Sequence, residues 1–298
     1  MTQRRATDPQ GQTNQLLDDL LKVMTLERLE LDLFRGQSRD IGSPQVFGGQ
    51  VLGQALMAAT ATVDNRCVHS LHAYFLRRGD FNSPIVYEVD RARDGNNFST
   101  RRVVAIQHGA QIFNMSASFQ SEEDGLAHQI AMPAVPPPEG LPELAWYFRD
   151  VMAELQPHAR RLLEQKRPFE FRPTEPPSFL KQEKAPAQRN IWFRAVAPLV
   201  GDEAMHRCLL AYVSDFHLLD TALMPHGISM TRQHIVMASI DHAMWFHRSV
   251  RVDDWLLYCT DSPSTSGARG FTRGSIFARD GRLVASTSQE GLLRVVTS

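Results

Sequence analysis

The sequence predicts an α+β fold made of two copies of one unit, in which a buried helix precedes an antiparallel sheet. Three observations predict this fold. Residues 51–62 carry no charge and are apolar around the whole circumference of a helix, which is typical of a buried helix. Four short strand patterns with turn signals follow that helix. The same order of elements recurs after residue 188, and 298 residues are enough for two ordinary domains.

The first unit follows a leucine-rich helix pattern at 14–23. Leu29, Leu31 and Leu33 alternate with acidic residues, which predicts a half-buried strand. Gly48 and Gly49 allow a close backbone approach near the start of the buried helix. The four strands after the helix are predicted at 68–76, 84–92, 98–107 and 110–119. Residues 14–120 therefore form the first predicted unit.

A change in composition separates the two units. Residues 121–187 hold eleven of the seventeen prolines, and we expect a semi-rigid connection with a polar helix at 143–165. The second unit covers 188–298. It begins with a strand at 188–196 and a helix at 203–214. Its further strands are predicted at 233–247, 254–262, 268–279 and 282–296.

An internal repeat relates the two units. A shift of 171 positions lays residues 68–77 on 239–248, and a shift of 172 lays Arg101 on Arg273. Identity between the halves is low, but the order of the elements and the turn positions agree. The repeat predicts that the two units share one architecture.

Three polar residues break the symmetry of this repeat. Ser239 falls opposite Val68, and Gln289 falls opposite Ala117. Asp215 ends the second buried helix, whereas the first ends in Ala-Ala-Thr-Ala. A carboxylate beside a buried helix is costly unless it is paired or used. The asymmetry indicates that one copy kept a functional site and the other became scaffold.

Several long motifs carry a resemblance to a known family. They are LFRGQS (33–38), QVFGGQVLGQAL (45–56), VHSLHAYFLRRGD (68–80), RDGNNFSTRRV (93–103), SASFQ (116–120), SIDHAMWFHR (239–248), ARGFTRG (268–274) and ASTSQEG (285–291). From about residue 16 to the end, the chain resembles the bacterial type II acyl-CoA thioesterases. The resemblance implies a double hotdog fold, in which an antiparallel sheet wraps around a long helix twice. It also implies hydrolysis of medium- to long-chain acyl-CoA and a homo-oligomer, either a dimer or a tetramer.

The resemblance also implies a catalytic trio of Asp215 in AYVSD, Ser239 in ASIDH and Gln289 in STSQEG. Ser239 departs from the family, in which threonine is usual at this position, but the hydroxyl is retained. A carboxylate can act as general base for a water that attacks the thioester, while two polar groups fix the direction of that water. The thiolate leaving group, with a pKa near about 8.5, needs little help from an acid.

Other candidate residues are less specific. Gly48, Gly49 and Gln50, near the start of the first buried helix, are candidate donors to the developing oxyanion. His72 is a candidate for the wall of the ligand cleft. Strict alternation along the strand predicts that Asp241 shares the face of Ser239 and that His242 points to the opposite face. Coenzyme A phosphates could meet Arg101, Arg102, Arg269 and Arg273, although solvated strand charges are the favoured interpretation of these arginines.

Composition narrows the function classes. The net charge of −1 gives no field that favours nucleic acid or an anionic membrane. Three widely spaced cysteines make a disulfide framework or a zinc site improbable, so no metal and no cofactor is predicted. Neither a signal peptide nor a membrane span is predicted, and cytoplasmic location is the default. Two alternatives stay open, a hotdog hydratase or dehydratase using a pair such as His72 and Asp241, and a non-catalytic acyl-CoA binder.

Overall fold

A single antiparallel sheet dominates the protein. The computed structural model describes residues 9–155, 157–178, 183–228 and 235–296. Within those ranges, thirteen strands form one sheet in the order β1-β2-β4-β5-β6-β3-β10-β13-β12-β11-β8-β7, and β9 also pairs with β13. The strands of each half lie together, and β3 and β10 join the two halves at the centre.

The first half matches its predicted elements closely, with one exception. The exception is the predicted strand through Leu29, Leu31 and Leu33, which is a hairpin with its turn after Glu30. Leu29 and Leu31 are therefore 41% and 58% exposed instead of facing the core. The elements are α1 (Pro9–Met24), β1 (Glu27–Glu30), β2 (Leu33–Gly36), α2 (Gly48–Thr60), β3 (Cys67–Phe75), β4 (Ile85–Asp94), β5 (Phe98–Gln107) and β6 (Ala110–Gln120).

The connecting segment differs from its prediction. The single helix expected at 143–165 is wrong, because α3 (Leu144–Phe148) and α4 (Pro157–Glu164) are two short helices separated by an irregular stretch. Pro157 begins α4, and proline is favoured at a helix start but not in its interior. A strand that the proline-rich composition concealed, β7 (Phe169–Pro173), pairs with β8 at the edge of the sheet. The division into 14–120, 121–187 and 188–298 stays a prediction.

The second half repeats the pattern of the first. The predicted helix at 203–214 is confirmed as α5. The strand predicted at 233–247 is interrupted at Ile240, and its first two residues lie outside the described ranges. The elements are β8 (Gln188–Ala195), α5 (Glu203–Ser214), a 3-10 helix (Leu219–His226), β9 (Ile235–Ser239), β10 (Asp241–Phe246), β11 (Leu256–Ser266), β12 (Arg269–Ala278) and β13 (Leu283–Val295).

The pairing of β3 with β10 shows the internal symmetry directly. His72 stands opposite Ala243, which is its own counterpart under the shift of 171. The flanking pair of Ala73 with His242 maps by the same shift onto the pair of Leu71 with Met244. The shift of 171 for these strands is therefore confirmed. Each half of the sheet packs on its own helix, α2 or α5, which is the double hotdog arrangement that the resemblance implied.

The register corrects one detail of the repeat. Arg102 lies opposite Ser116 on β6, and Arg273 lies opposite Ser288 on β13, so Arg273 corresponds to Arg102 and not to Arg101. A change of one position moves a side chain to the other face of a sheet. Arg101 is accordingly 1% exposed, whereas Arg102 is on the surface.

The two central helices pack against each other through small residues of α2. Gly49 lies against the carbonyl oxygen of Tyr212, and a Cβ on Gly53 would lie 3.1 Å from the carbonyl oxygen of Cys208. Only glycine allows so close a backbone approach. One cluster of buried apolar side chains runs through both halves. Among the described residues, none of the helices is long and apolar enough to cross a membrane.

Candidate active site

Asp215 sits at the end of a well-defined helix. The side chain of Asp202 accepts a hydrogen bond from the Met205 backbone N–H (2.9 Å) and so caps the start of α5, and Asp215 is the residue that ends the helix. A carboxylate at a helix C-terminus lies at the negative end of the helix dipole, which is unfavourable. Asp215 is only half-buried, and it takes its hydrogen bonds from neutral side chains.

The structure brings Ser239 and Gln289 to one oxygen of Asp215. Gln289 Nε2 donates to Asp215 Oδ1 at 2.8 Å, and Ser239 Oγ donates to the same oxygen at 3.3 Å. Gln289 is fully buried, and its Oε1 has no hydrogen-bond partner within the described ranges. The two donors fix the plane of the carboxylate and leave Oδ2 available.

A β-bulge positions Ser239. Ser239 pairs with Gly291 and Ala243 pairs with Ser288, so three residues of the β9–β10 segment (240–242) face two residues of β13 (289–290). An extra residue of this kind re-aims the side chains that follow it, and such bulges are frequent next to active sites. β3 carries the corresponding irregularity after Val68, so the bulge belongs to both halves.

The bulge overturns the expectation from strict alternation. His242 lies on the inner face of the sheet and is fully buried, whereas Asp241 lies on the outer face opposite Tyr74. His242 Nε2 hydrogen-bonds with Ser214 Oγ at 3.0 Å, directly before Asp215 in the chain. Burial lowers the pKa of His242, and the nearby charge of Asp215 opposes that shift. Sequence reasoning placed His242 on the wrong face, although its apolar counterpart, Leu71, was a signal that this position faces the core.

The start of α2 faces the free oxygen of Asp215. A Cβ on Gly48 would lie 2.7 Å from Asp215 Oδ2, so only a glycine leaves room there. Phe47 offers no side-chain cap, and the first turn holds no acidic residue. The N–H groups of Gly48 and Gly49 have no acceptor among the described residues. Unused donors at a helix N-terminus favour negative charge in front of them.

Two predicted ligand-binding side chains lie elsewhere. Gln50 is 1% exposed, and its Oε1 accepts a hydrogen bond from the Arg39 backbone N–H at 3.0 Å, which ties down the neighbouring loop. His72 is exposed on the outer face of the sheet, where it packs edge-on against Trp245 with 5.3 Å between ring centroids. Neither side chain joins Asp215, Ser239 and Gln289.

The repeat defines two equivalent junctions between the central helices. We call the junction of the α5 C-terminus with the α2 N-terminus the open end, and the junction of the α2 C-terminus with the α5 N-terminus the capped end. The residues of the open end are Asp215, Gly48, Ser239 and Gln289, and their counterparts at the capped end are Thr60, Glu203, Val68 and Ala117.

Comparisons with known proteins identify the family of this chain. A family model described as acyl-CoA thioesterase matches residues 158–292, and one described as acyl-CoA thioesterase N-terminal domain matches 35–120. Acyl-CoA thioesterase 2 of Haemophilus influenzae is 41% identical over 94% of this chain and 98% of its own length. The chain belongs to the acyl-CoA thioesterase family. Human acyl-coenzyme A thioesterase 8 is also 41% identical, over 97% of this chain and 92% of that protein.

Solved structures support the family and the fold. The acyl-CoA thioesterase II TesB2 from Mycobacterium marinum matches with a TM-score of 0.76 and 43% identity, over 93% of this chain and 99% of that chain. A conserved protein with a hot dog fold from Alicyclobacillus acidocaldarius matches with a TM-score of 0.74 at 18% identity, over 94% of this chain and 99% of that chain. The second match bears on the fold alone. Together they confirm the hotdog fold for this thioesterase.

A partly buried cluster of ionisable side chains lies near Asp215. His217 has a left-handed backbone (φ 63°), and its Nδ1 lies 3.3 Å from Asp220 Oδ2, while Arg189 lies 3.6 Å from the same carboxylate. Burial lowers the pKa of His217 to about 4. Burial opposes ionisation of Asp220, but the hydrogen bond from His217 and the charge of Arg189 outweigh it and lower the Asp220 pKa to about 2. The cluster fixes the chain as it leaves the site.

Metal ligation has no evident place in this site. Among the described residues, no group of three or more His, Cys, Asp or Glu side chains could hold a metal ion.

Proposed function

We propose that this protein hydrolyses acyl-CoA thioesters to a carboxylic acid and coenzyme A, with Asp215 as the general base that activates water. One observation carries the proposal: two neutral donors hold Asp215 Oδ1, while Oδ2 faces the uncapped N-terminus of α2 at Gly48. The arrangement combines a positioned carboxylate with positioned donors, which is what attack of water on a carbonyl requires.

Each member of the trio has a separate role in this mechanism. Asp215 Oδ2 accepts a proton from the water as the water oxygen attacks the thioester carbon. Gln289 and Ser239 fix the carboxylate, which restricts the water to one direction of approach. Gln289 Oε1, which has no hydrogen-bond partner among the described residues, and the lone pairs of Ser239 Oγ are acceptors for the second proton of that water.

The negative charge that develops on the thioester oxygen needs donors. The N–H groups of Gly48 and Gly49 fit this role because they point out of a helix N-terminus and have no acceptor among the described residues. Removal of one oxyanion donor typically costs about 10²- to 10³-fold in rate. The coenzyme A thiolate then leaves without protonation by a general acid, because the pKa of its thiol is about 8.5.

Aromatic side chains surround the chain next to Asp215. The rings of Phe47 and Phe216 lie 4.2 Å apart between centroids, and Phe171 lies 5.7 Å from Phe216. Phe171 and Phe216 belong to the buried core, so the preference for medium to long acyl chains rests on the family resemblance. A homo-oligomer, dimer or tetramer, and a cytoplasmic location stay predictions from the sequence, as does the division into two hotdog units joined by residues 121–187.

The direct test is thiol release from saturated acyl-CoA substrates of graded chain length, followed with a thiol reagent. We expect release from medium and long chains, including palmitoyl-CoA. Acyl-CoA binding without thiol release at any length would favour a non-catalytic binder. Hydration of a trans-2-enoyl-CoA, seen as loss of its conjugated absorbance without thiol release, would favour the hydratase alternative and contradict the proposal.

A further inference from the structure

A small cationic cavity opens beside the proposed active site. Its volume is about 200 Å³, and Gly48 and Ser239 form part of its wall. Arg77 and Arg78 also line it, and none of the described lining residues is acidic. The carbon atom attacked at Asp215 and an anionic group held by an arginine could therefore belong to one ligand.

The internal repeat separates the roles of these two arginines. Arg77 Nη1 donates to the carbonyl oxygen of Gln111 at 2.6 Å. Arg248, its counterpart, donates to the carbonyl oxygen of Leu283 at 2.7 Å, and Leu283 is the counterpart of Gln111 under the shift of 172. A bond that occurs in both halves is a feature of the fold. Arg77 is therefore explained without a ligand.

Arg78 has no such explanation. It is exposed and has no hydrogen bond or ion pair with any residue in the described ranges. Its counterpart under the shift of 171 is Ser249, so the second arginine is present only in the half that contributes Gly48 to the open end. Arg78 lines the same cavity as Gly48 and Ser239, and none of its five N–H donors is bonded to a described residue.

The arginines suggested by the sequence are already neutralised. Arg102 pairs with Asp90, Arg269 pairs with Glu290, and Arg273 pairs with Asp261. Arg101 is buried and pairs with Asp94. The carboxylate partner of each arginine offsets its positive charge and occupies some of its donors, so these four residues are poorer candidates than Arg78.

The corresponding cavity at the capped end shows the contrast. It is larger, about 720 Å³, but its arginines face carboxylates on the same wall. Arg251 pairs with Asp253, and Arg282 pairs with Asp280. An anion there would meet arginines paired with carboxylates, whereas an anion in the smaller cavity would meet Arg77 and Arg78 with no carboxylate among the described lining residues.

We infer that Arg78 binds a phosphate group of the coenzyme A moiety and so anchors the thioester at Asp215, an inference that rests on the proposed function. A guanidinium offers a planar pair of donors that matches two phosphate oxygens, and such charge-assisted bonds are stronger than neutral ones. The interaction is remote from the reacting carbon and is the same before and during reaction. It therefore lowers KM and leaves kcat nearly unchanged.

The test compares Arg78→Ala with Arg248→Ala, a matched control at the structural arginine of the other half. Substrates are acyl-CoA and the acyl-pantetheine thioester without phosphates, with the acyl chain that gives the fastest thiol release. We expect Arg78→Ala to raise KM for acyl-CoA about tenfold or more, with kcat within about twofold, and to leave KM for acyl-pantetheine unchanged. Arg78→Lys should recover part of the loss, and Arg248→Ala should change neither KM.

A third substrate, the thioester of coenzyme A without its 3′-phosphate, distinguishes the two phosphate sources. If Arg78 holds the 3′-phosphate, the wild type already has a raised KM for this substrate, and Arg78→Ala does not raise that KM further. If Arg78 holds the diphosphate, the increase in Arg78→Ala persists. An unchanged KM for acyl-CoA in Arg78→Ala, or an equal increase for acyl-pantetheine, would overturn the inference while thiol release continues. If the wild type releases thiol from none of these thioesters, the result would instead contradict the proposed function.

Discussion

The open end and the capped end occupy equivalent places in the repeat, but they differ in whether their polar groups have hydrogen-bond or ion-pair partners. At the open end the helix α2 begins without a cap, and the Asp215 carboxylate keeps one oxygen available. At the capped end the helix α5 begins with Asp202 as a cap and Glu203 in its first turn. Both helices are of similar length, so the difference lies in side chains and not in architecture.

The capped end is filled by an ion pair. Glu203 Oε1 accepts from Arg207 at 2.5 Å, and Arg207 Nη1 donates to the carbonyl oxygen of Val68. Glu203 is the counterpart of Gly48, so a carboxylate side chain stands where the open end has only a glycine at the helix N-terminus. Unsatisfied donors and acceptors lower stability, and proteins retain them where function needs them. The comparison supports the proposed division of roles, in which the capped end contributes to stability and the open end to the reaction.

The largest expected effect comes from Asp215→Asn, which removes the base but keeps the size of the side chain. We expect kcat for thioester hydrolysis to fall by about 10²- to 10⁴-fold, the usual contribution of general base catalysis. Thr60→Ala, at the equivalent position of the capped end, should change kcat less than about twofold. Steady-state thiol release measures both. Full activity in Asp215→Asn would exclude Asp215 as the base.

Gly48→Ala should have the next largest effect. Its methyl group would lie 2.7 Å from Asp215 Oδ2 and 3.0 Å from the ring of Phe75, so the carboxylate must move. We expect a loss of about 10²-fold in kcat, since a misplaced group near the reacting atoms commonly costs that much. Gly140→Ala is the control, because a Cβ there would meet no atom within 4 Å. Activity within threefold of wild type would show that Asp215 Oδ2 does not need its present position.

Ser239→Val makes the open end resemble the capped end, where Val68 stands. The variant loses the hydrogen bond to Asp215, and a bond to a charged group contributes about 1.5–3 kcal/mol. We expect a fall of about 10- to 100-fold in kcat, whereas Ser239→Thr should retain most of the activity because the hydroxyl remains. Equal activity in both variants would remove Ser239 from the mechanism.

Acid should weaken the fold next to the open end through His217. Its pKa is about 4 in the folded protein, below the ordinary value of 6.5, so the unfolded chain binds a proton more readily. The free energy of unfolding therefore falls as pH decreases from 6.5 towards 4, by about 2 kcal/mol at pH 5. Urea unfolding should show a smaller decrease in the free energy of unfolding between pH 7 and pH 5 for His217→Asn than for the wild type. Asparagine is chosen because it tolerates the left-handed backbone at this position. The same pH dependence in wild type and variant would contradict the assignment.

The smallest effect is expected at the capped end, from Arg207→Leu. Removal of the arginine leaves Glu203 without its partner, and because that carboxylate is partly exposed we expect a loss of only about 1–2 kcal/mol in the free energy of unfolding. Hydrolysis by the folded fraction should stay within about twofold of wild type. A tenfold loss of kcat without unfolding would mean that the capped end also takes part in the reaction.

The sequence predicted most of the elements because their signals are local. The apolar circumference of α2 and the turn signals between the strands each depend on a few neighbouring residues. The repeat also identified Ser239 and Gln289, because a polar residue aligned with an apolar or small counterpart can be recognised from the sequence alone. The strand β7 was missed because its proline-rich surroundings resemble a linker.

The geometry of the site could not be predicted from local sequence, because it depends on contacts between residues far apart in the chain. Gly48 and Asp215 are far apart in the chain, and their approach depends on the packing of two helices through glycine. The bulge at Ile240 also gives no clear signal in the sequence, and it reversed the predicted faces of Asp241 and His242. Arg78 looked like any surface charge until its neighbours and its counterpart Ser249 were known.

The most direct test of the central claim is a crystal structure of the wild-type protein with a ketone analogue of acyl-CoA, in which a methylene group replaces the thioester sulfur. The account predicts the ketone oxygen within about 3 Å of the N–H groups of Gly48 or Gly49. One water should lie between the ketone carbon and Asp215 Oδ2, within hydrogen-bond distance of Ser239 or Gln289. A carbonyl group bound at the capped end, or held against Asp215 with no space for a water, would contradict it.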